Sequence, residues 1–551
     1  MKHLSLIATT VSCMGGFLFG YDIGVISGVL AMPTFPQYFG MEGDPDHIAR
    51  VKGDVVALLQ AGCAVGALLI NFLAGNGYFY KRPNDKSSSH MGNNIDPFGR
   101  KKTIMFSSVV FIVGGILQAA AQNVSTMLAG RFIAGLGVGA CSALVPMYIA
   151  EIAPRRLRGR LGTLWQFLVV LGIMLSYWVD YGCVRHIPVS DKQWRTALGI
   201  QIIPGGLLFL GMFFCPESLR WLALRERNDQ VLKVLCQLRN QDAEHPAIVK
   251  EMQEINAAAQ QEREMKMTRW TELLVPNNLR RLLIGVMLQV FQQWTGTNAI
   301  LTVLFHKKNY YAPDIFKSIG LTAENTDILA TGVYGVVKLV FVVVAFFLID
   351  GRMGRRRTLM LGAAIMFVSF FIVGGMVYGL QRQSTGSGDE INVVDAKGYV
   401  AIVFVYIFAV GPVVWVVCSE IFPTRIRAMC LSVTTAFNWA MNATIAKVTP
   451  IMISDITYGT YFFFGCCAVL MGSFTYFFVP ETRGRSLEEM EQVFGGSIWA
   501  FKDKYVWKKS DEENKQHQAQ EVERVEDQKV QEPSSPTTAS NAGAATSADK
   551  D

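Results

Sequence analysis

Two short stretches decide the fold. One is Ala150-Glu151-Ile152-Ala153-Pro154, with Arg158 seven residues after the glutamate; the other is Ser419-Glu420-Ile421-Phe422-Pro423, with Arg427 seven residues after its own. Each follows a long apolar run. Two further pairs keep the same order. Asp96-Pro97-Phe98-Gly99-Arg100-Lys101 is echoed by Asp350-Gly351-Arg352-Met353-Gly354-Arg355-Arg356, and Pro216-Glu217-Ser218 by Pro480-Glu481-Thr482. Repeats in one order, about half a chain apart, describe a duplicated unit, and such repetition sets the architecture before any finer reading.

The residues around these repeats are those of a chain that has lipid for much of its solvent. Of 551 residues, 51% are hydrophobic and 17% charged, against roughly 25% charged in soluble domains. Twelve apolar runs reach the roughly 20 residues that a membrane-crossing helix needs, at 6–30, 53–75, 103–121, 127–149, 161–181, 196–215, 282–304, 328–349, 358–380, 399–419, 428–451 and 458–479. A polar stretch from Arg220 to Arg281 with helical periodicity divides them six and six. The expected product is an all-α membrane protein of two pseudo-symmetric six-helix halves. Its segments are an N-terminal half (1–215), a helical linker (216–281), a C-terminal half (282–480) and a tail (481–551) whose composition from about 508 cannot build a core.

The cations fix the expected orientation. Lys81, Arg82, Lys86, Arg100, Lys101 and Lys102 follow the second run; Arg155, Arg156, Arg158 and Arg160 the fourth; Arg352, Arg355, Arg356 and Arg357 the eighth; Arg425 and Arg427 the tenth. The intervening loops around Asn123 and Asp455 carry none. By the positive-inside rule the basic loops, both termini and the linker are expected in the cytoplasm, with Met1-Lys2-His3 leading into a retained first span. A net charge of +7 gathered at the ends of apolar runs reads as topology, so no nucleic-acid partner is expected. The ten cysteines form no Cys-x-x-Cys pair, which argues against a disulfide framework or a zinc site. No phosphate loop, metal cluster or nucleophile–base set is present, so neither an enzyme nor a cofactor is expected.

The chain resembles the sugar porter family of the major facilitator superfamily over about residues 10 to 495, in a fungal flavour near hexose and quinate transporters. The matching stretches are Phe19-Gly20-Tyr21-Asp22-x-Gly24-Val25, Gly130-Arg131-x-x-x-Gly135-x-Gly137-Val138-Gly139, Pro146-Met147-Tyr148-Ile149-Ala150-Glu151, Pro216-Glu217-Ser218-x-Arg220-Trp221-Leu222, Gln292-Gln293-x-x-Gly296-x-Asn298 and Pro480-Glu481-Thr482-Arg483-Gly484. The resemblance implies the major facilitator fold and transport of a monosaccharide across the plasma membrane by alternating access. It implies sugar contacts from Gln166, Gln292, Gln293, Asn298 and Asn438, aromatic contacts from Phe19 and Trp415, and close backbone approach at Gly411. Amides suit such a site because each offers a donor and an acceptor without a charge to desolvate; the alternative is helix-to-helix bonding worth about 1 kcal/mol each. Asp22 and Arg131 match the proton-coupling pair of family symporters, which implies a proton gradient as the driving force; a static buried ion pair is the other reading. Asp96, Arg100, Glu151, Arg158, Asp350, Arg355, Glu420 and Arg427 read as a cytoplasmic gate of charge pairs, against simple positive-inside topology.

Three places depart from the family pattern. Thr302 to Asn309, including His306, Lys307 and Lys308, stand between Leu301 and Tyr310-Tyr311-Ala312-Pro313, and deleting them restores the pattern. Residues 76–95 lengthen a loop that is short in the family, and the run through Phe408-Ala409-Val410-Gly411-Pro412 is short of a few residues. Diverged paralogy or a gene-model artefact would account for these. Lys338, inside the eighth run, favours an acidic substrate such as quinate, or else pairs with a buried carboxylate. A sugar sensor without net transport is the reading from another class, and the modest tail argues against it.

Overall fold

The computed structural model describes residues 4–32, 34–40, 45–74, 99–154, 158–264, 270–296, 332, 335–344, 354–386, 413–423, 426–482, 494 and 499–500. The helices are α1 (Leu4–Ala31), α2 (Thr34–Tyr38), α3 (Pro45–Ala74), α4 (Gly99–Ala119), α5 (Val124–Ile152), α6 (Arg158–His186), α7 (Lys192–Ile200) and α8 (Ile202–Phe214). The linker forms α9 (Leu219–Leu224), α10 (Asn228–Arg239) and α11 (Pro246–Glu264). Beyond it lie α12 (Pro276–Trp294), α13 (Gly335–Val344), α14 (Gly354–Gly386), α15 (Val413–Ile421), α16 (Arg427–Ile456) and α17 (Gly459–Phe478). Among the described residues eight helical segments are long and apolar enough to cross a bilayer. The sixth expected run, 196–215, is two helices joined at Gln201, whose φ of −60° and ψ of −19° keep the backbone right-handed through the join.

Three helices stop at a proline. A proline pushes the preceding residue out of the helical region, and the C-caps Ala153 (ψ 138°), Cys215 (ψ 144°) and Val479 (ψ 113°) each precede one: Pro154, Pro216 and Pro480. The repeated Glu-x-x-Pro and Pro-Glu-Ser/Thr motifs are therefore helix endings with a carboxylate attached. At its start α5 is capped by Asn123, whose Oδ1 accepts from Thr126 N at 2.8 Å, so the residue that heads an Asn-Val-Ser sequon serves as an N-cap.

Within the N-terminal half α1 packs on α6, and α5 on both α3 and α4. The α3–α5 crossing is close because glycines face backbone. A Cβ on Gly135 would collide with Leu59 O, one on Gly139 with Cys63 O, and one on Gly62 with Phe132 O. Without a hydrophobic drive between helices in lipid, small residues that let backbones approach supply the packing energy. In the C-terminal half α14 lies on α17, and α12 on α15, α16 and α17. The helix α16 also crosses to the other half, against α3 and α5. Three hydrophobic cores result among the described residues: one from residues of the first half plus Ala436 and Trp439, a second in the same half around Tyr21, Val25, Phe35 and Trp194, and a third from Leu273 to Phe494. The outward faces stay apolar: Phe106, Val109, Val113 and Ile116 of α4 and Ile203, Leu207, Leu210 and Phe214 of α8 are exposed, as a lipid-facing surface requires.

Candidate functional site: a buried ion pair, an amide cluster and two mirrored carboxylate clamps

The first feature is an ion pair inside the N-terminal half. Asp22 on α1 is 0% exposed and Arg131 on α5 is 1% exposed, with Nη1 to Oδ1 at 2.8 Å. Arg131 also donates from Nε to Val55 O of α3 at 3.1 Å and from Nη1 to Gln118 Oε1 of α4 at 3.4 Å. One guanidinium thus ties four helices together. The second carboxylate oxygen, Asp22 Oδ2, accepts no hydrogen bond from the described residues. Removing one member of such a pair leaves an uncompensated charge that costs about 3–5 kcal/mol; the guanidinium stays charged, so Asp22 is the member that can gain or lose a proton.

The second feature is the junction between the halves, organised by three side chains of α16. Asn438 donates to Gln289 Oε1 at 2.7 Å and to Gln292 Oε1 at 3.1 Å, both on α12. Trp439, next in sequence and therefore turned to another face, donates to Ser142 Oγ of α5 at 3.2 Å and meets Phe19 of α1 edge to face at 4.9 Å. One turn on, Asn442 Oδ1 accepts from Gln60 of α3 at 3.2 Å. Near the far end of both helices Lys447 bridges to Asp54 at 2.8 Å, with both side chains at least half exposed. Amides and an aromatic pair at a junction of two halves have the chemistry to hold the hydroxyls and the apolar face of a ring.

Of the sequence-expected binding residues, Gln292 and Asn438 fall in this amide cluster, and Gln293 is buried on the same helix. Phe19 lies beside Trp439. Gln166 is half-buried on α6, and its Oε1 is buried without a partner. Trp415 is half-buried on α15. Asn298 and Gly411 lie outside the described residues. Sequence reasoning missed Gln289, Trp439 and Asn442. Gln289 was discoverable, since 289, 292 and 293 share one helix face.

The third feature occurs twice at the basic end of the molecule. Gly99 opens α4 with φ +70°, and Gly354 opens α14 with φ +75°. A Cβ at either would lie 2.6 Å from a carboxylate oxygen, of Glu217 and Glu481 respectively, so only glycine fits on both counts. Glu217 Oε1 accepts from the backbone N–H of Arg100 (3.0 Å) and Lys101 (3.1 Å). Glu481 accepts from Arg355 (2.8 Å) and Arg356 (3.1 Å). Each carboxylate meets the first free N–H groups of a helix, where the helix dipole favours negative charge. Burial pushes the Glu217 carboxyl up, against the opposing pull of the Ser218, Lys101 and Arg100 N–H groups and the Arg100 charge.

The same two sites hold the gate candidates. Arg100 pairs with Glu151 at 3.2 Å, and Arg355 with Glu420 at 3.1 Å. Ser218 donates to Glu151, and Thr482 to Glu420 at 2.6 Å. Among the described residues both glutamates thus have an arginine partner on a neighbouring helix, Arg100 on α4 and Arg355 on α14. Arg427 is buried and donates to Phe422 O at 3.1 Å, closing its own turn. Arg158 begins α6, its side chain outside the described residues, as are Asp96 and Asp350. Each pair lies within one half. The linker is fastened to the same end, with Arg239 gripping Glu251 through two bonds of 3.0 and 2.6 Å and reaching Ile152 O at 3.2 Å.

Comparison with known proteins agrees with this geometry. The family model described as "Sugar (and other) transporter" matches residues 8–76 and 87–494, its gap falling inside the lengthened loop. The quinate permease of Neurospora africana is 34% identical over 503 residues, covering 89% of this chain and 87% of the relative. The quinate permease of Emericella nidulans is 33% identical over 509 residues, covering 89% and 88%. Among solved structures, the proton:xylose symporter XylE bound to 6-bromo-6-deoxy-D-glucose superposes with a TM-score of 0.71 at 29% identity, over 89% of this chain and 99% of that one. The inward-open form of XylE from E. coli superposes less well, with a TM-score of 0.63 at 28% identity over 88% of this chain and 98% of that one. Matched over nearly its whole length, with major facilitator architecture, the chain belongs to the sugar (and other) transporter family.

Proposed function

We propose that this protein moves a monosaccharide, glucose or a related hexose or pentose, across the plasma membrane by alternating access, in symport with a proton. The sugar binds where α12, α16 and α1 meet, its hydroxyls exchanging hydrogen bonds with Gln289, Gln292, Gln293 and Asn438 and its ring stacking near Phe19 and Trp439. The reading rests above all on the Asp22–Arg131 pair, wholly buried, on helices whose neighbours contact the sugar cleft. A proton on Asp22 removes the charge that holds Arg131, and loss of that bond releases α1 from the guanidinium that also holds α3 and α4. The basic end, with Arg100, Glu151, Arg355 and Glu420, faces the cytoplasm, as do both termini; the end with Asp54 and Lys447 faces outward.

Labelled glucose uptake into a yeast strain lacking its own hexose carriers, with and without a protonophore, tests the reading. Uptake abolished by the protonophore supports symport. Uptake indifferent to it leaves a passive carrier, and none despite surface expression removes glucose from the substrates.

A second reading is an acidic cyclic polyol such as quinate. Quinate permeases are about a third identical over most of the chain, and Lys338 supplies a cation half-buried on α13. Under this reading unlabelled quinate competes with labelled quinate uptake and glucose does not, and Lys338→Ala weakens carboxylate uptake selectively. Loss of glucose uptake alone in that variant would count against it.

A further inference from the structure

A second carboxyl lies buried in the N-terminal half, apart from the Asp22–Arg131 pair. Asp180 on α6 is 0% exposed, and neither of its carboxyl oxygens has a hydrogen-bond partner among the described residues. It faces α1 across a seam of glycines. A Cβ on Gly20 would collide with Val169 O, one on Gly24 with Ser176 Oγ, and one on Gly28 with the Asp180 carboxyl itself. The glycines bring α1 so close that Asp180 is sealed between two backbones.

The ionisable groups around it do not compensate a charge. Tyr21 of α1 and Cys183 of α6 are the near neighbours, and the Tyr21 hydroxyl donates to Ala197 O at 3.1 Å. On α7, Lys192 is exposed, and Arg195 donates to Ala119 O and Ala121 O. On α5 and α15, Arg131, Glu151 and Glu420 are held in the pairs described above. The helix α13 meets α6 where Gly335 approaches Met174 and Tyr177, and its ionisable residue is Lys338. None of these is bonded to Asp180. An ionised carboxylate without cation or donor costs several kcal/mol in such a place, whereas the neutral acid fits it. Asp22 occupies the opposite situation, with its charge matched by Arg131.

We propose that Asp180 is a second proton-binding site of this protein, holding its proton while α1 and α6 are closed over it and exchanging it with water when the seam at Gly28 opens. The step is a simple proton transfer: the carboxyl O–H bond breaks to a water molecule and re-forms from hydronium, both supplied by the aqueous phase. It does not depend on which substrate is carried, nor on Asp22 as the coupling group.

The test uses the full chain reconstituted in liposomes, with aspartate carrying carbon-13 at the side-chain carboxyl, followed by infrared spectroscopy during a pH titration. Asp22 and Asp180 are the buried aspartates among the described residues, so the titration is run on Asp22→Asn, where Asp180 alone of the two remains. The expected result is an isotope-shifted acid carbonyl band at neutral pH that fades reversibly at alkaline pH and is missing when Asp180→Asn is added. No such band at neutral pH, a band that survives Asp180→Asn, or one that persists unchanged until the protein unfolds would each overturn the proposal. Should the double variant fail to reach the membrane, the labelled Asp22→Asn protein still decides it by whether its acid band titrates.

Discussion

The mirrored clamps make a quantitative prediction with an internal control. Glu481→Gln keeps one acceptor oxygen for Arg355 N or Arg356 N and turns an amide N–H against the other. A hydrogen bond to a charged group contributes about 1.5–3 kcal/mol, so losing one from a side chain only 7% exposed costs about that much. For a unit of roughly 200 residues this lowers the melting temperature by about 3–12 °C. Glu217→Gln is the milder change in the other half, because a single oxygen, Oε1, accepts from Arg100 N, Lys101 N and Ser218 N and the amide carbonyl can take its place, so its cost falls below that range. The assay is thermal unfolding of purified protein with a thiol-reactive dye. Cys13, Cys63, Cys141, Cys418 and Cys430 are buried and react only on unfolding, and exposed Cys466 sets the baseline. The cores are separate in the two halves, so the thiols report on each half: Cys13, Cys63 and Cys141 on the first, Cys418 and Cys430 on the second. If Glu481→Gln leaves the melting temperature unchanged, or destabilises the first half's thiols instead of the second's, the clamp is not holding its helix as reasoned.

Other perturbations follow from the same contacts. The Asp54–Lys447 bridge is half exposed and worth about 0–1 kcal/mol, so Lys447→Ala leaves the melting temperature nearly unchanged. Joining Asp54→Cys and Lys447→Cys with a short bifunctional reagent arrests uptake, and continued transport by the linked protein would show that this end does not open. Trp439→Ala removes the edge contact with Phe19, worth about 0.5–1.5 kcal/mol, and raises the KM for sugar about two- to tenfold; an unchanged KM would take Trp439 out of the cleft. Because burial raises the Glu217 carboxyl, the folded chain holds that proton more tightly than the unfolded one. Its stabilising contribution is therefore full below the unfolded carboxylate range and is lost as pH rises through the folded value. Between mildly acid and neutral pH the wild type loses stability relative to Glu217→Gln; melting temperatures that run parallel in pH would contradict this.

The fold was legible because lipid imposes length and apolarity, and because the duplicated motifs fall at helix ends. Pro154, Pro216 and Pro480 stand directly after the C-caps of three helices, so their neighbours could be placed without coordinates, whereas Pro146 is carried inside α5. The expected ion pairs were less legible. The spacing from Glu151 to Arg158 is visible along the chain, whereas its partner Arg100 arrives from α4 through helix packing, which no local spacing encodes. Gln289 was within reach of the sequence, because it shares a helix face with Gln292 and Gln293, although its partner Asn438 reaches it at 2.7 Å from a distant helix. Asp180 did leave a signal. It is an acid within the apolar run Ser176-Tyr177-Trp178-Val179-Asp180-Tyr181, and an ionisable residue inside a span is a functional candidate by default.

Proton coupling through Asp22 is tested most directly by comparing two modes of transport in proteoliposomes. Counterflow of labelled glucose against preloaded unlabelled glucose needs only the sugar-loaded carrier to exchange, whereas accumulation driven by an imposed pH gradient needs the proton as well. Asp22→Asn mimics the protonated acid, frees Arg131 permanently and removes the titrating group. The predicted result is that Asp22→Asn keeps counterflow and loses gradient-driven accumulation while the wild type shows both. Gradient-driven accumulation by Asp22→Asn equal to that of the wild type would contradict proton coupling at this pair.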